Sequence, residues 1–279
     1  MEMLVKKSDR QTIIDILKGI SIIFVIITHY GWNEDQRLAA LFPYYIDMAV
    51  PTFMVISGYV FSASYLKKGI IHFEDAYELI HVVKRVIRYT IPFLVAYLLE
   101  VGFTLYNNNE ISFSGFVINF LKGGFGPGSY YYPEMIQLTF FLPVILFSMK
   151  KVPKIGLCFW FVFNMFYELI KTVLCLDPEI YRLSLFRYTF LIAFGCYIYL
   201  RRNERVNRVI LGSLFIVGSI YIYLVRYCGY TSKIINYWCG TSFVAALYIA
   251  PLLMVIIYNF GSLSFRPLEL VGKASYNIE

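Results

Sequence analysis

The sequence predicts an all-α protein: a polytopic membrane helix bundle of about eight complete spanning helices plus the start of another, with its N-terminus in the cytoplasm. Three observations predict it. Of 279 residues, 59% are hydrophobic and only 15% are charged, a balance too apolar for an ordinary soluble domain. Apolar runs long enough to cross a bilayer recur along the whole chain. The short connections between them alternate between basic and basic-poor.

Spanning helices are expected at 12–30, 46–66, 86–106, 130–149, 155–176, 183–200, 207–226 and 240–260. Each approaches or exceeds the roughly 17 residues that a helical crossing needs, far more than a strand of a membrane barrel. The first run carries Asp15 and Lys18 near its start and no small-residue cleavage site after it, so it reads as a span and not as a cleaved signal. The second contains Pro51, which frees a backbone carbonyl, and Ser57-Gly58, which permits close helix packing. Connections 67–85 and 107–129 are longer. The former is amphipathic, with His72, Glu74, Asp75, Glu78 and His81; the latter holds Asn107-Asn108-Asn109 and a glycine-rich stretch, 123–129, expected to be a flexible rim. Residues 268–279 look like a cytoplasmic loop leading into a further helix that the sequence does not complete. The whole chain, 1–279, therefore reads as one membrane domain shortened at its C-terminus.

Loop charge sets the orientation. Lys6, Lys7 and Arg10, then Lys67, Lys68, Lys84, Arg85 and Arg88, then Lys150, Lys151 and Lys154, then Arg201, Arg202, Arg205 and Arg208, then Arg266 and Lys273 all fall on alternate connections. These are most of the 25 basic residues, and they place those connections in the cytoplasm. The net charge of +7 is therefore a topology signal and not a nucleic-acid footprint. No Cys-x-x-Cys spacing occurs among the five cysteines, so no metal site is expected; Cys228 and Cys239 flank one loop and could pair on an oxidising side.

Ionisable groups inside spans are costly and tend to mark function. Lys18 and His29 fall about 20° apart on one helix face and roughly 16 Å apart along the axis. Asp15 lies one turn before Lys18 and is close enough to pair with it. The pair is structural or functional, and His29 either rests at the interface or acts. A neutral imidazole can take a proton from a hydroxyl or accept an acyl group itself. Lys84, Arg85 and Arg88 enter the membrane on one helix; arginine forks suit phosphate oxygens, although loop polarity alone explains a few basic residues. Asp47, level with His29, could orient the imidazole or simply be solvated. Glu134 and Gln137, after Tyr130-Tyr131-Tyr132, are candidates to hold a hydroxyl, or else Glu134 reaches to water from the helix end. Glu168 and Lys171, one turn apart, read as an intramembrane pair.

The run from Asp15 through Lys18-Gly19 to His29, then Val50-Pro51 through Ile56-Ser57-Gly58-Tyr59, then Arg85-x-x-Arg88 with Pro92, resembles the acyltransferase-3 family. Its members are bacterial integral-membrane O-acyltransferases that modify surface glycans. Gly128-Ser129-Tyr130-Tyr131-Tyr132, Pro143 and Gly272-Lys273-Ala274-Ser275-Tyr276 are similar to that family too. The resemblance implies acyl-CoA, acetyl-CoA in the first instance, as a donor substrate, with no permanently bound cofactor. It implies a polysaccharide or lipid-linked sugar as acceptor for O-acetylation, and a multi-pass place among the lipids of a bacterial cell membrane. The family's basic-x10-His pattern falls on Lys18 and His29, with lysine in place of the usual arginine and without its bidentate fork. Its Arg-x-x-Arg falls on Arg85 and Arg88. Residues and resemblance together point to His29, Lys18 and Asp15 as the catalytic group, and to Arg85, Arg88 and Lys84 as the donor-binding group. Asp47, Glu134 and Gln137 would form the substrate-binding group. The alternative is a transporter or flippase with Asp15, Lys18 and His29 lining its path and broken helices near Pro51 and Pro143.

Overall fold

A computed structural model describes residues 12–274, apart from 71, 108–109, 127–129, 203, 205–206, 233–234 and 236–237. All regular structure among them is helical. In order the helices are α1 (Thr12–Thr28), α2 (Glu34–Ala39), α3 (Ala49–Lys67), α4 (Leu79–Tyr106), α5 (Phe113–Lys122) and α6 (Tyr131–Lys150). They continue as α7 (Pro153–Val173), α8 (Pro178–Leu183), α9 (Thr189–Leu200), α10 (Arg208–Arg226), α11 (Ala246–Asn259) and α12 (Arg266–Ala274). Six helical segments among the described residues are long and apolar enough to cross a membrane: Phe42–Lys67, Leu79–Tyr106, Tyr131–Lys150, Pro153–Val173, Arg208–Arg226 and Cys239–Asn259. Two of the eight expected spans are shorter: α1 has 17 residues, and the apolar unit around α9 runs only from Leu185 to Leu200.

The bundle has a centre and a rim. The span through α3 is 72% buried inside the protein, whereas that of α10 is 11% buried and α4 is little better covered. Apolar side chains on the rim therefore face outward, as they must where lipid is the solvent. At the centre α3 packs on α9, which also carries α6 and α7. A Cβ added at Gly58 of α3 would overlap the Ile192 carbonyl, and one at Gly195 of α9 would overlap the Val55 carbonyl. The two helices thus cross with their backbones touching, the close approach that small residues allow in membranes. Cys196 completes the seam by donating its Sγ–H to the Gly58 carbonyl at 3.5 Å. Two other pairs use the same device. Gly19 of α1 lies against the Leu268 carbonyl and Gly272 of α12 against that of Asp15, while Gly218 of α10 lies against the backbone of Tyr248 in α11.

Several expectations need correction. The stretch 107–129 is not simply a flexible rim: Ser112 accepts a hydrogen bond from the Gly115 amide at 3.1 Å and starts α5. Phe116 and Phe120 of α5 then pack on Tyr97, whose hydroxyl donates to the Phe116 carbonyl at 2.6 Å. Pro127, Gly128 and Ser129 lie outside the described residues, as do Asn108 and Asn109. The third span starts at Leu79 and not near 86, and it carries Lys84, Arg85 and Arg88 together as expected. Pro51 lies in the first turn of α3, where a missing N–H costs nothing, and α3 and α6 run unbroken through Pro51 and Pro143. Residues 266–274 are already helical and dock on α1, while Ser275 and Tyr276 lie outside the described residues. Lys6, Lys7, Arg10, Arg205 and Lys233 also lie outside them. Cys228 and Cys239 are free thiols, Cys239 donating to the Ile235 carbonyl at 2.9 Å.

The glycine crossings make a direct test. A Gly195→Ala change should cost about 1–3 kcal/mol through overpacking. Gly212→Ala on α10, where an added Cβ meets nothing within 4 Å, should leave stability unchanged or raise it. Thermal unfolding of the purified proteins in detergent checks both; equal melting of the two variants would contradict the packing described.

Candidate active site

Polar side chains gather in four places. At the basic end of the bundle, α3 and α4 enclose a small cleft lined by Phe61, Ser64, Tyr65, Lys68, Ile70, His81, Lys84, Arg85 and Arg88. Its volume of about 80 Å³ holds a phosphate-sized group and not a nucleotide. The three expected donor-binding residues meet here, joined by Lys68 and His81. Arg85 is the anchor. Its Nε donates to the His81 carbonyl at 2.9 Å and its Nη2 to the Ala76 carbonyl at 2.8 Å. Its Nη1 donates to the Tyr65 hydroxyl, and its guanidinium stands over the Tyr65 ring with the centroid at 5.0 Å. These contacts tie the 3-10 turn Glu74–Tyr77 to α3 and leave only part of the guanidinium for a ligand. Lys68, Lys84 and Arg88 are exposed and make no ion pair among the described residues, so they are the available cations.

On α1, Asp15 and Lys18 are both buried, 2% and 7% exposed, where α1 meets α12. His29 is placed differently. The helix stops at Thr28, capped by Trp32 Nε1–H on the Ile27 carbonyl at 2.9 Å, and His29 lies in the turn beyond it, exposed. It therefore has neither the helical setting nor the burial of Lys18. Asp47 does not present a free carboxylate to the imidazole: its Oδ1 binds Arg37 at 2.6 Å and its Oδ2 lies 3.8 Å from Arg226, which also binds Glu34 at 2.8 Å. That network fixes the short α2 over the end of the bundle where His29 sits.

The fourth group is deeper. Glu134 of α6 is fully buried and accepts a hydrogen bond from Arg187 Nη2 at 3.3 Å, so it does not reach to water. Gln137, one turn on, donates to the Leu183 carbonyl at 2.7 Å and accepts from the Leu185 amide at 3.0 Å. Its amide is engaged in holding the corner that carries Arg187. Beside it Glu168 and Lys171 form the expected pair at 2.7 Å, and the Tyr181 hydroxyl donates to the second oxygen of Glu168. Arg187 itself was missed. It opens the sixth apolar run beside Tyr188, and an arginine there is an intramembrane charge of the same kind as Lys18.

A protein-family model described as an acyltransferase domain matches residues 11–278. The chain belongs to the acyltransferase-3 family. No curated protein and no solved structure matches it. With its apolar helices, this acyltransferase is a multi-pass membrane protein. The match takes in the basic cleft, the buried pair on α1, His29 and the Glu134–Arg187 centre alike.

The Glu168–Lys171 pair separates structural from chemical burial of charge. Lys171→Met strands a buried carboxylate and should cost about 3–5 kcal/mol, while Glu168→Met with Lys171→Met should recover most of it. Chemical unfolding of both variants in detergent checks this; a double variant no better than the single one would show that the pair is not the source of the cost.

Proposed function

We propose that this acyltransferase moves an acyl group, acetyl in the first instance, from acyl-CoA to a sugar hydroxyl of an extracytoplasmic glycan or lipid-linked sugar. The observation that carries the reading is the gathering of Lys84, Arg85 and Arg88 with Lys68 around one phosphate-sized cleft. Lysine and arginine donors there suit the phosphates of CoA, and the same end of the bundle carries the basic loops, so it faces the cytoplasm. The thioester arm runs from that cleft into the bundle towards α1, past the buried Asp15 and Lys18. His29 stands at the opposite end, where an acceptor outside the cell arrives.

The chemistry asks little of the protein beyond placement and a base. Neutral His29 removes the proton of the acceptor hydroxyl as its oxygen attacks the thioester carbonyl. The carbon–sulfur bond breaks, and the CoA thiolate leaves and is protonated. In the variant route His29 attacks first and hands the acyl group on. In either, Lys18 and Asp15 lie within the bundle along the path of the donor, roughly 16 Å from His29, and act as positioning residues for the arm. The continuous α3 and α6 give no support to a transporter built on broken helices.

Labelled acetyl-CoA and a glycan acceptor test the reading in detergent or in membranes. His29→Ala should reduce transfer by about 10²-fold or more, the scale of a lost general base. Lys84→Ala with Arg88→Ala should raise the KM for acetyl-CoA, with a smaller effect on kcat. Undiminished transfer by His29→Ala would remove the mechanism, and movement of a glycan without labelling would favour the transporter.

A further inference from the structure

The Glu134–Arg187 centre holds buried polar atoms that the described residues leave without hydrogen-bond partners. Arg187 is 4% exposed, Glu134 0% and Asn164 1%. Among the described residues, Arg187 Nε and Nη1, Glu134 Oε2 and Asn164 Nδ2 have no hydrogen-bond partner, although all are buried. Buried polar atoms are nearly always satisfied, so four orphans in one neighbourhood call for something that binds them. Asn164 belongs to that neighbourhood because its Oδ1 accepts the Phe190 amide at 3.4 Å, one turn beyond Arg187. Aromatic rings surround the guanidinium: Tyr188, Trp238, Tyr130 and Tyr181 have centroids at 4.4, 5.2, 5.6 and 5.7 Å from its carbon. Trp238 is 49% exposed and Tyr130 is half-buried, so these two rings form the roof between the centre and the outside.

The chemistry of the orphans selects the ligand. Three of them donate and one accepts, an array that hydroxyl groups match because each both accepts and donates. Glu134 is set against Arg187 and Glu168 against Lys171, while Arg182, 5.8 Å from the Tyr130 ring, is set against Glu179 at 3.8 Å. An added anion would face the Glu134 carboxylate on the same guanidinium. Aromatic rings at the roof offer flat apolar faces to the C–H side of a sugar ring. We infer that Arg187, Glu134 and Asn164, under Trp238 and Tyr130, bind an uncharged sugar through its hydroxyls. Only the further statement that this sugar is the acyl acceptor rests on the acyl-transfer reading above.

The chain has three tryptophans, so Trp32→Phe with Trp160→Phe leaves Trp238 as the sole indole reporter. Fluorescence of that protein in detergent is titrated with methyl glucoside, methyl galactoside and N-acetylglucosamine, and separately with glucuronate and inorganic phosphate. A saturable change with at least one neutral sugar is expected, weakened about tenfold or more by Arg187→Lys or Glu134→Gln, on the scale of one lost buried hydrogen bond to a charged group. Tyr130→Ala, at the roof and outside the ion pair, should weaken it too without disturbing the fold. Gly212→Ala on the rim helix α10, where an added Cβ meets nothing within 4 Å, should bind the sugar normally. No saturable change with any neutral sugar in folded protein would overturn the inference and leave the orphans to water. Binding of glucuronate or phosphate alone would overturn it in favour of an anion site. The titration needs no acyl donor, so sugar binding by a protein that transfers nothing would sink the proposed activity and keep this site. Transfer with an unchanged acceptor KM in Arg187→Lys would do the reverse.

Discussion

Backbone contact at glycines is the constraint on which the rest depends. Lipid gives helices no hydrophobic reason to associate, so packing must come from closeness. Gly58 and Gly195 bring α3 and α9 into contact, Gly19 and Gly272 do the same for α1 and α12, and Gly218 sets α10 on α11. Each contact fixes a functional element in place. The α3 crossing sets where Tyr65 meets Arg85, and the α9 crossing holds the helix that begins just after Arg187. The α1–α12 contact, at Asp15 and Gly19, encloses the polar residues of α1.

Within that frame, charge is distributed by depth. At the basic end the cations are exposed and several have no ion-pair partner among the described residues, which suits a soluble anionic ligand. In the interior every charge described has a counter-charge or another recorded interaction, as burial in a low dielectric demands. At the far end Arg37, Arg226, Glu34 and Asp47 form a half-exposed network at the end of the bundle where the exposed His29 sits. In the proposed reading, one end recognises the charge of the donor, and the other offers a base and a hydroxyl-binding centre.

Much of this was legible in the sequence because the membrane forces it. Apolar length located six of the eight expected spans, and Lys84, Arg85 and Arg88, expected on one helix face, line one cleft. Glu168 and Lys171 were recognisable because a one-turn spacing leaves them little else to do. Long-range partners were not legible. Arg37 and Asp47 are ten residues apart across an irregular turn, and Arg187 reaches Glu134 across 53 residues, so no local period reveals either pair. The end of α1 was misjudged by two residues because the apolar run continues past Thr28 while the helix does not. That small shift moves His29 from the last turn of a helix to an exposed turn beyond it.

The central claim is that donor and acceptor work from opposite ends of one bundle. Reconstitution into sealed vesicles tests it most directly, with labelled acetyl-CoA supplied only on the side of the basic loops and a sugar acceptor only on the other. Labelled sugar should appear in the acceptor compartment and vanish with His29→Ala. Label found only on acceptor supplied together with the donor, on the side of the basic loops, would contradict the claim.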